Sequence, residues 1–245
     1  YRSDGRRQYE LRDSTIELSQ QGVADGSATL THGLTQVSVS VFGPWEAKMR
    51  SLTLHDRANI NVEVNILPFS TGERRRRALS RRVLELASTV KSTFEPVVQT
   101  NLYPRSQIDI YIQVLQQDGG LLQACINATT LALTTAGIPL YDFVCAVTVT
   151  GGVHSASTML DLNMLEENDL PHVTVAVIPR TKKVTLLTLE TRLHVDRFAD
   201  IFRLACETGQ TIHKEMKHAV SNRTSMLIEA MGTGLSHGIG SGVLE

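Results

Sequence analysis

Apolar and polar residues alternate with a period of two through the first third of the chain, in Thr15-Ile16-Glu17-Leu18, Ala28-Thr29-Leu30-Thr31 and Val37-Ser38-Val39-Ser40-Val41-Phe42. With Asp25-Gly26 and Gly33 between them, these segments predict three short antiparallel strands joined by turns. Gly43-Pro44 is expected to end the third strand, and a polar, mildly basic loop from Trp45 to Arg57 leads to a fourth alternating strand, Ile60 to Leu67. The period then changes. Val83, Leu86, Val90 and Phe94 fall on one helical face, and Ser80 is placed to cap its start. After Pro104 the strand Ile108 to Leu115 runs through Asp118-Gly119-Gly120 into a helix ending near Gly137. Its Ala124, Ala128, Ala132 and Ala136 permit close packing on a sheet. Strands at Phe143 to Val149, Ser157 to Leu162, Val173 to Ile178 and Val184 to Leu189 precede a long helix from about Asp196 to Val220. The last stretch, Gly232 to Glu245, holds five glycines and reads as a frayed tail. Two arrays of strands, each followed by helices, predict a layered α+β domain of two βα halves over residues 1–231, with the Gly-rich tail at 232–245.

Composition narrows the class without naming a function. The 245 residues are 42% hydrophobic and 20% charged with a formal net charge of -1, as in an ordinary globular chain. Near neutrality argues against a protein that coats nucleic acid over its whole surface, and leaves room for a local basic patch. No run of 18 apolar residues occurs, so no membrane-spanning helix is expected. The first residue is Tyr1 rather than Met, which leaves a preceding segment open. Cys125, Cys145 and Cys206 lie far apart without Cys-x-x-Cys spacing and read as free thiols. The eight histidines lack metal-ligand spacing, so neither a metal centre nor a cofactor is expected.

Two features carry chemistry. Arg74, Arg75, Arg76, Arg77, Arg81 and Arg82 place six of the 24 basic residues within nine positions. If Ser80 caps the helix, Arg81 and Arg82 stand in its first turn, where the helix dipole disfavours cations unless an anion lies between them and the helix end. The second feature is the strand, Asp-Gly-Gly turn and helix at 108–137, which aims backbone N–H groups at one spot, as a phosphate site does. The positions where such a site needs a hydroxyl and a cation are Leu121 and Leu122.

Ordered motifs along nearly the whole chain resemble the ribonuclease PH family. They are Arg2-Ser3-Asp4-Gly5-Arg6-Arg7, Ala24-Asp25-Gly26-Ser27-Ala28, Gly33-Leu34-Thr35 and Val41-Phe42-Gly43-Pro44, then Phe69-Ser70-Thr71-Gly72-Glu73-Arg74, Pro104-Arg105-Ser106-Gln107-Ile108-Asp109, Ala136-Gly137-Ile138-Pro139 and Leu160-Asp161-Leu162. The resemblance implies the fold of that family, a layered βα domain like the second domain of ribosomal protein S5. Active members are 3′ to 5′ exoribonucleases that cleave RNA with inorganic phosphate and release nucleoside diphosphates. Their phosphate pocket joins an arginine at one helix start to a Gly-Thr-Arg or Gly-Ser-Arg turn at the next. Arg81 and Arg82 match the first part, Arg82 standing 40 residues before Leu122 as in the family. Leu121 and Leu122 break the second part. The family's acidic group lies just before the strand Val175-Ala176-Val177-Ile178-Pro179; counting back places His172 there, with Asp169 three residues earlier. Asp161 reads as a strand-end residue with local hydrogen bonds. Losing a hydroxyl, a guanidinium and an acid would cost on the order of 6 kcal/mol, about four decades in rate.

Within the family the motifs resemble a ring subunit of the RNA exosome. That resemblance implies a non-catalytic chain that pairs with other ribonuclease PH-like subunits in a hetero-hexameric ring. Single-stranded RNA would thread the ring to an associated hydrolytic 3′ to 5′ exoribonuclease for rRNA processing and mRNA decay. RNA-binding cap subunits are the further partners implied, in nucleus, nucleolus and cytoplasm, with no membrane role. Lys48, Arg50, Arg81 and Arg82 are the expected RNA contacts. The rival reading is a working phosphorolytic exoribonuclease using Arg81, Arg82 and Asp169.

Overall fold

The computed structural model describes residues 2, 4–46, 53–72, 74, 81–151, 158–189 and 195–238. Strands β1 (Ser14–Leu18), β2 (Gly26–His32), β3 (Thr35–Glu46), β4 (Asn59–Ile66) and β5 (Ser106–Gln116) form a five-stranded sheet in the order β1-β2-β3-β5-β4. Its pairs are antiparallel except β4 with β5, which helix α1 (Arg81–Phe94) makes possible as a crossover. Helix α2 (Leu121–Thr135) follows. The second, four-stranded sheet has the order β7-β6-β8-β9, from β6 (Cys145–Gly151), β7 (Thr158–Leu160), β8 (His172–Ile178) and β9 (Lys183–Leu189). A short helix α3 (Met164–Asp169) joins β7 to β8, and α4 (Val195–Gly238) closes the chain.

The layering follows from which faces are apolar. In β5 the even positions Ile108, Ile110, Ile112 and Val114 are all buried and meet the helices, while the odd positions face away. Helices α1, α2 and α4 each touch strands of both sheets, so the helices lie between two sheets. Helix α2 is the centre of this layer. Ala124, Ala128 and Ala132 are buried along it, and a Cβ at Gly26 of β2 would lie 2.4 Å from the Ala136 nitrogen. The small residues therefore let the helix backbone approach the sheet, as their spacing predicts.

Three elements differ from the sequence expectation. β3 does not end at Gly43-Pro44; it continues to Glu46 through a register shift between Phe42 and Trp45, where Gly43 and Pro44 stand opposite the single residue Ile108 and one extra residue is accommodated as an irregularity. α3 has only six residues, too few for a periodic signal, and is held by Asn163, whose N–H donates to Glu166 Oε2 at 3.1 Å. α4 does not stop near Val220 but runs to Gly238, taking in the first residues of the expected tail. The buried positions Ile201, Ala205, Ile212 and Met216 end before that point, and the stretch from Lys217 to Gly238 contains no proline to stop the helix.

Candidate functional site

The turn between β5 and α2 is built on two glycines with different duties. Gly119 has φ +77°, and a Cβ there would lie 2.5 Å from the Leu162 carbonyl oxygen and 2.7 Å from the Met164 nitrogen. The turn is thus pressed against the chain that enters α3. Gly120 has φ +62° and ψ +30° and stands as the N-cap of α2 without a capping side chain of its own. Its N–H instead donates to the Glu167 carboxylate, Oε2, at 3.0 Å. A carboxylate from α3 therefore occupies a donor at the positive end of α2, where an external anion would be expected. Leu121, the first helical residue, is buried, and Leu122 packs partly buried against the core. Neither offers a donor in place of the hydroxyl and cation that the turn lacks.

Beneath the turn lies a charge cluster that the sequence did not disclose. Asp161 is completely buried, 0% exposed, with φ +56°. Its Oδ1 accepts from Arg12 Nη2 at 2.7 Å, and its Oδ2 accepts from Arg12 Nε at 3.0 Å and the Arg12 backbone N–H at 2.8 Å. His32 Nε2 lies 2.9 Å from Oδ2, and Arg6 Nη1 is 3.4 Å away. Burial pushes the Asp161 carboxyl up, but the hydrogen bonds from His32 and Arg12 and their charges outweigh it and hold it well below the carboxylate range. Arg12 also donates through Nη1 to the Asp118 carbonyl at 2.7 Å and ties the cluster to the glycine turn. The expectation of local hydrogen bonds at Asp161 is thus corrected: its carboxylate's partners come from the start of the chain, Arg12 from 149 residues away and Arg6 from 155.

The N-terminal arginines complete the clasp. Arg2 donates to the Leu160 and Asp161 carbonyls at 2.6 Å each and forms a bidentate pair with Glu166. Arg6 Nη2 donates to Asn163 Oδ1 at 2.9 Å. Arg2, Asp4 and Arg6, read from sequence only as part of a motif, therefore pin the β7–α3 segment. Arg12, His32 and Glu167 carried no signal at all. Asp161 carried a faint one, as an acid between Leu160 and Leu162, the kind of position that burial leaves charged only when paired.

The other expected residues fall as follows. Arg81 and Arg82 are exposed in the first turn of α1. Lys48, Arg50, Ser80 and Arg75 to Arg77 lie outside the described residues. His172 opens β8 with Nε2 3.9 Å from Glu167 Oε1, and Asp169 is exposed at the end of α3, two residues beyond Glu167. The structure thus brings Glu167, His172, Gly120 and Leu121 together. Among the described residues, no group of three or more His, Cys, Asp or Glu side chains is placed to hold a metal ion.

Residues 10–139 match the 3′ exoribonuclease family, domain 1, of ribonuclease PH type. The chain belongs to the ribonuclease PH family. Among its relatives, the exosome complex component ski6 of Schizosaccharomyces pombe is 43% identical over 220 residues, covering 89% of this chain and 90% of that protein. Exosome complex component RRP41 of Mus musculus is 41% identical over 216 residues, 87% of each. The crystal structure of rice (Oryza sativa) Rrp46 shares the fold, with a TM-score of 0.80 at 24% identity, over 90% of this chain and 100% of that one. The layered α+β fold of two βα halves is therefore that of the family, as its motifs imply.

Proposed function

We propose that this chain, as one ribonuclease PH-like unit over residues 1–231, is a non-catalytic subunit of an RNA exosome ring. The observation that carries this reading is the α2 N-terminus, where Glu167 takes the Gly120 N–H at 3.0 Å and Leu121 and Leu122 replace the polar side chains of a phosphate turn. An incoming phosphate would have to displace a carboxylate and would meet two leucines. Loss of the hydroxyl and the cation at this point, together with the acid that His172 replaces, costs about four decades in rate. The family membership and the exosome relatives support a place in a multisubunit exosome; in this reading the chain shares its ring with other ribonuclease PH-like chains, meets RNA-binding caps and a hydrolytic exoribonuclease, and works in nucleus, nucleolus and cytoplasm. Arg81 and Arg82, exposed at the start of α1, together with Lys48 and Arg50 hold the phosphate backbone of threading single-stranded RNA without reading bases.

The test is to purify the chain with its bound proteins, supply single-stranded RNA, phosphate and magnesium, and identify the nucleotides released. Nucleoside monophosphates formed without phosphate, and lost when the associated nuclease is removed, support a threading scaffold. Nucleoside diphosphates that require phosphate and vanish with Asp169→Asn refute it in favour of phosphorolysis. In the same assembly, Arg81→Glu with Arg82→Glu is expected to slow degradation of long single-stranded RNA and to leave the ring intact by gel filtration.

A further inference from the structure

The outer face of the five-stranded sheet is rich in acceptors and aromatic rings, and its strands β3, β4 and β5 place no cation on it among the described residues. Because α1, α2 and α4 lie between the sheets, alternate residues of β3, β5 and β4 point away from them. Cross-strand pairing sets these in three rows: Trp45, Gln107 and Asn59; Phe42, Asp109 and Asn61; Ser40, Tyr111 and Glu63. β3, β4 and β5 contain no Lys, Arg or His at any position. β4 is moreover an edge strand, a place that a merely solvated sheet commonly protects with lysine.

The carboxylates on this face have no cationic partner among the described residues. Asp109 Oδ1 accepts only from the neutral amides of Gln107 at 2.6 Å and Asn61 at 3.1 Å. Gln107 is 8% exposed and its Oε1 is buried with no donor. Trp45 is 58% exposed, and Phe42 and Tyr111 meet edge to face at 5.7 Å. Burial, then the charges of Asp109 and Glu63, push the Tyr111 phenol up, so the ring stays neutral and keeps its π face.

We propose that this sheet face docks a protein segment that presents arginine side chains. A guanidinium matches it in three ways: it carries the missing charge, donates to a carboxylate through a planar fork, and stacks on Trp or Tyr rings. Lysine supplies the charge and point donors but neither the planar fork nor the stacking plane, and the phosphates of RNA are repelled by Asp109 and Glu63. The surface is independent of the RNA-threading reading and lies on the far side of the sheet from the helices.

Trp45 is the only tryptophan of the chain and reports on this face directly. The full chain is titrated at low salt with nona-arginine, nona-lysine and nona-glutamate peptides while Trp45 emission is read. The expected result is a saturable change with nona-arginine, a weaker one with nona-lysine and none with nona-glutamate. Affinity for nona-arginine is expected to fall at least tenfold in Glu63→Gln with Asp109→Asn, with an unchanged circular dichroism spectrum. If that pair fails to fold, Glu63→Gln alone is read, and a threefold fall is expected. Absence of a Trp45 response, an equal response to nona-lysine, or an unchanged midpoint in the variants overturns the proposal.

Discussion

Replacing Asp161 by Asn removes one negative charge from the cluster beneath the glycine turn and changes little else. The two side chains have similar size, and both residue types tolerate the left-handed backbone that φ +56° demands. The variant leaves the Arg12 guanidinium, held at 2.7 and 3.0 Å in the wild type, buried without its counter-charge. Breaking a buried pair in this way costs about 3–5 kcal/mol. In a chain of this size 1 kcal/mol moves the midpoint by about 2–4 °C, so Tm is expected to fall by roughly 10 °C at pH 7. Thermal unfolding followed by far-ultraviolet circular dichroism reads the shift. A pH series tests the cause. The Asp161 carboxyl is held low in the folded chain, so its contribution is fully present above the unfolded value and is lost as pH falls through the folded one. The wild type therefore weakens faster than the variant below about pH 4, and the gap between them narrows. A variant within about 1 kcal/mol of wild type at pH 7, or a gap that stays constant down to pH 2, would refute the argument.

Gly119→Ala sets a Cβ 2.5 Å from the Leu162 carbonyl at φ +77°; the positive φ alone costs about 1 kcal/mol, and with the clash the total is expected to exceed 2 kcal/mol in urea unfolding. Glu167→Ala frees the Gly120 N–H from a charged acceptor 3.0 Å away and is expected to cost roughly 1–2 kcal/mol in the same assay. Burial pushes the Asp4 carboxyl up, but hydrogen bonds from Arg6 and Asn163 outweigh it and bring it down to about 2. The clasp contribution of Asp4 is therefore present above the ordinary carboxylate range and lost as pH falls through about 2, which the Arg6 amide resonance is expected to report. Burial pushes the Cys125 and Cys145 thiols up to about 12, so native-state alkylation at pH 8 is expected to label Cys206, which is partly exposed, and to spare the other two until denaturant is added.

The elements that depend on neighbours in sequence were legible in it. Alternation marked β1, β2 and the first part of β3, because a half-buried strand sorts its side chains by parity. Helical spacing marked α1, and the alanines of α2 announced a helix that touches backbone. The departure of Leu121 and Leu122 from a phosphate turn was also plain, since that chemistry is local to a few successive residues. Arg81 and Arg82 could be placed for the same reason.

What tertiary structure alone decided lies where distant segments meet. No period in the sequence joins Arg12 to Asp161, His32 to the same carboxylate, or Glu167 to the Gly120 N–H; each contact exists only because α3 is folded onto the glycine turn. The end of α4 was hidden for a related reason: an apolar stripe marks a helix only while a sheet lies beneath it, and the helix continues to Gly238 on backbone hydrogen bonds after that stripe has stopped. Sequence by itself determined the strands, the three long helices apart from the end of α4, and the missing side chains of the phosphate turn, since periodicity and side-chain chemistry act over a few residues; the six-residue α3 it did not show. The occupant of that turn was settled by packing, because a buried donor or charge takes whichever partner the fold carries to it.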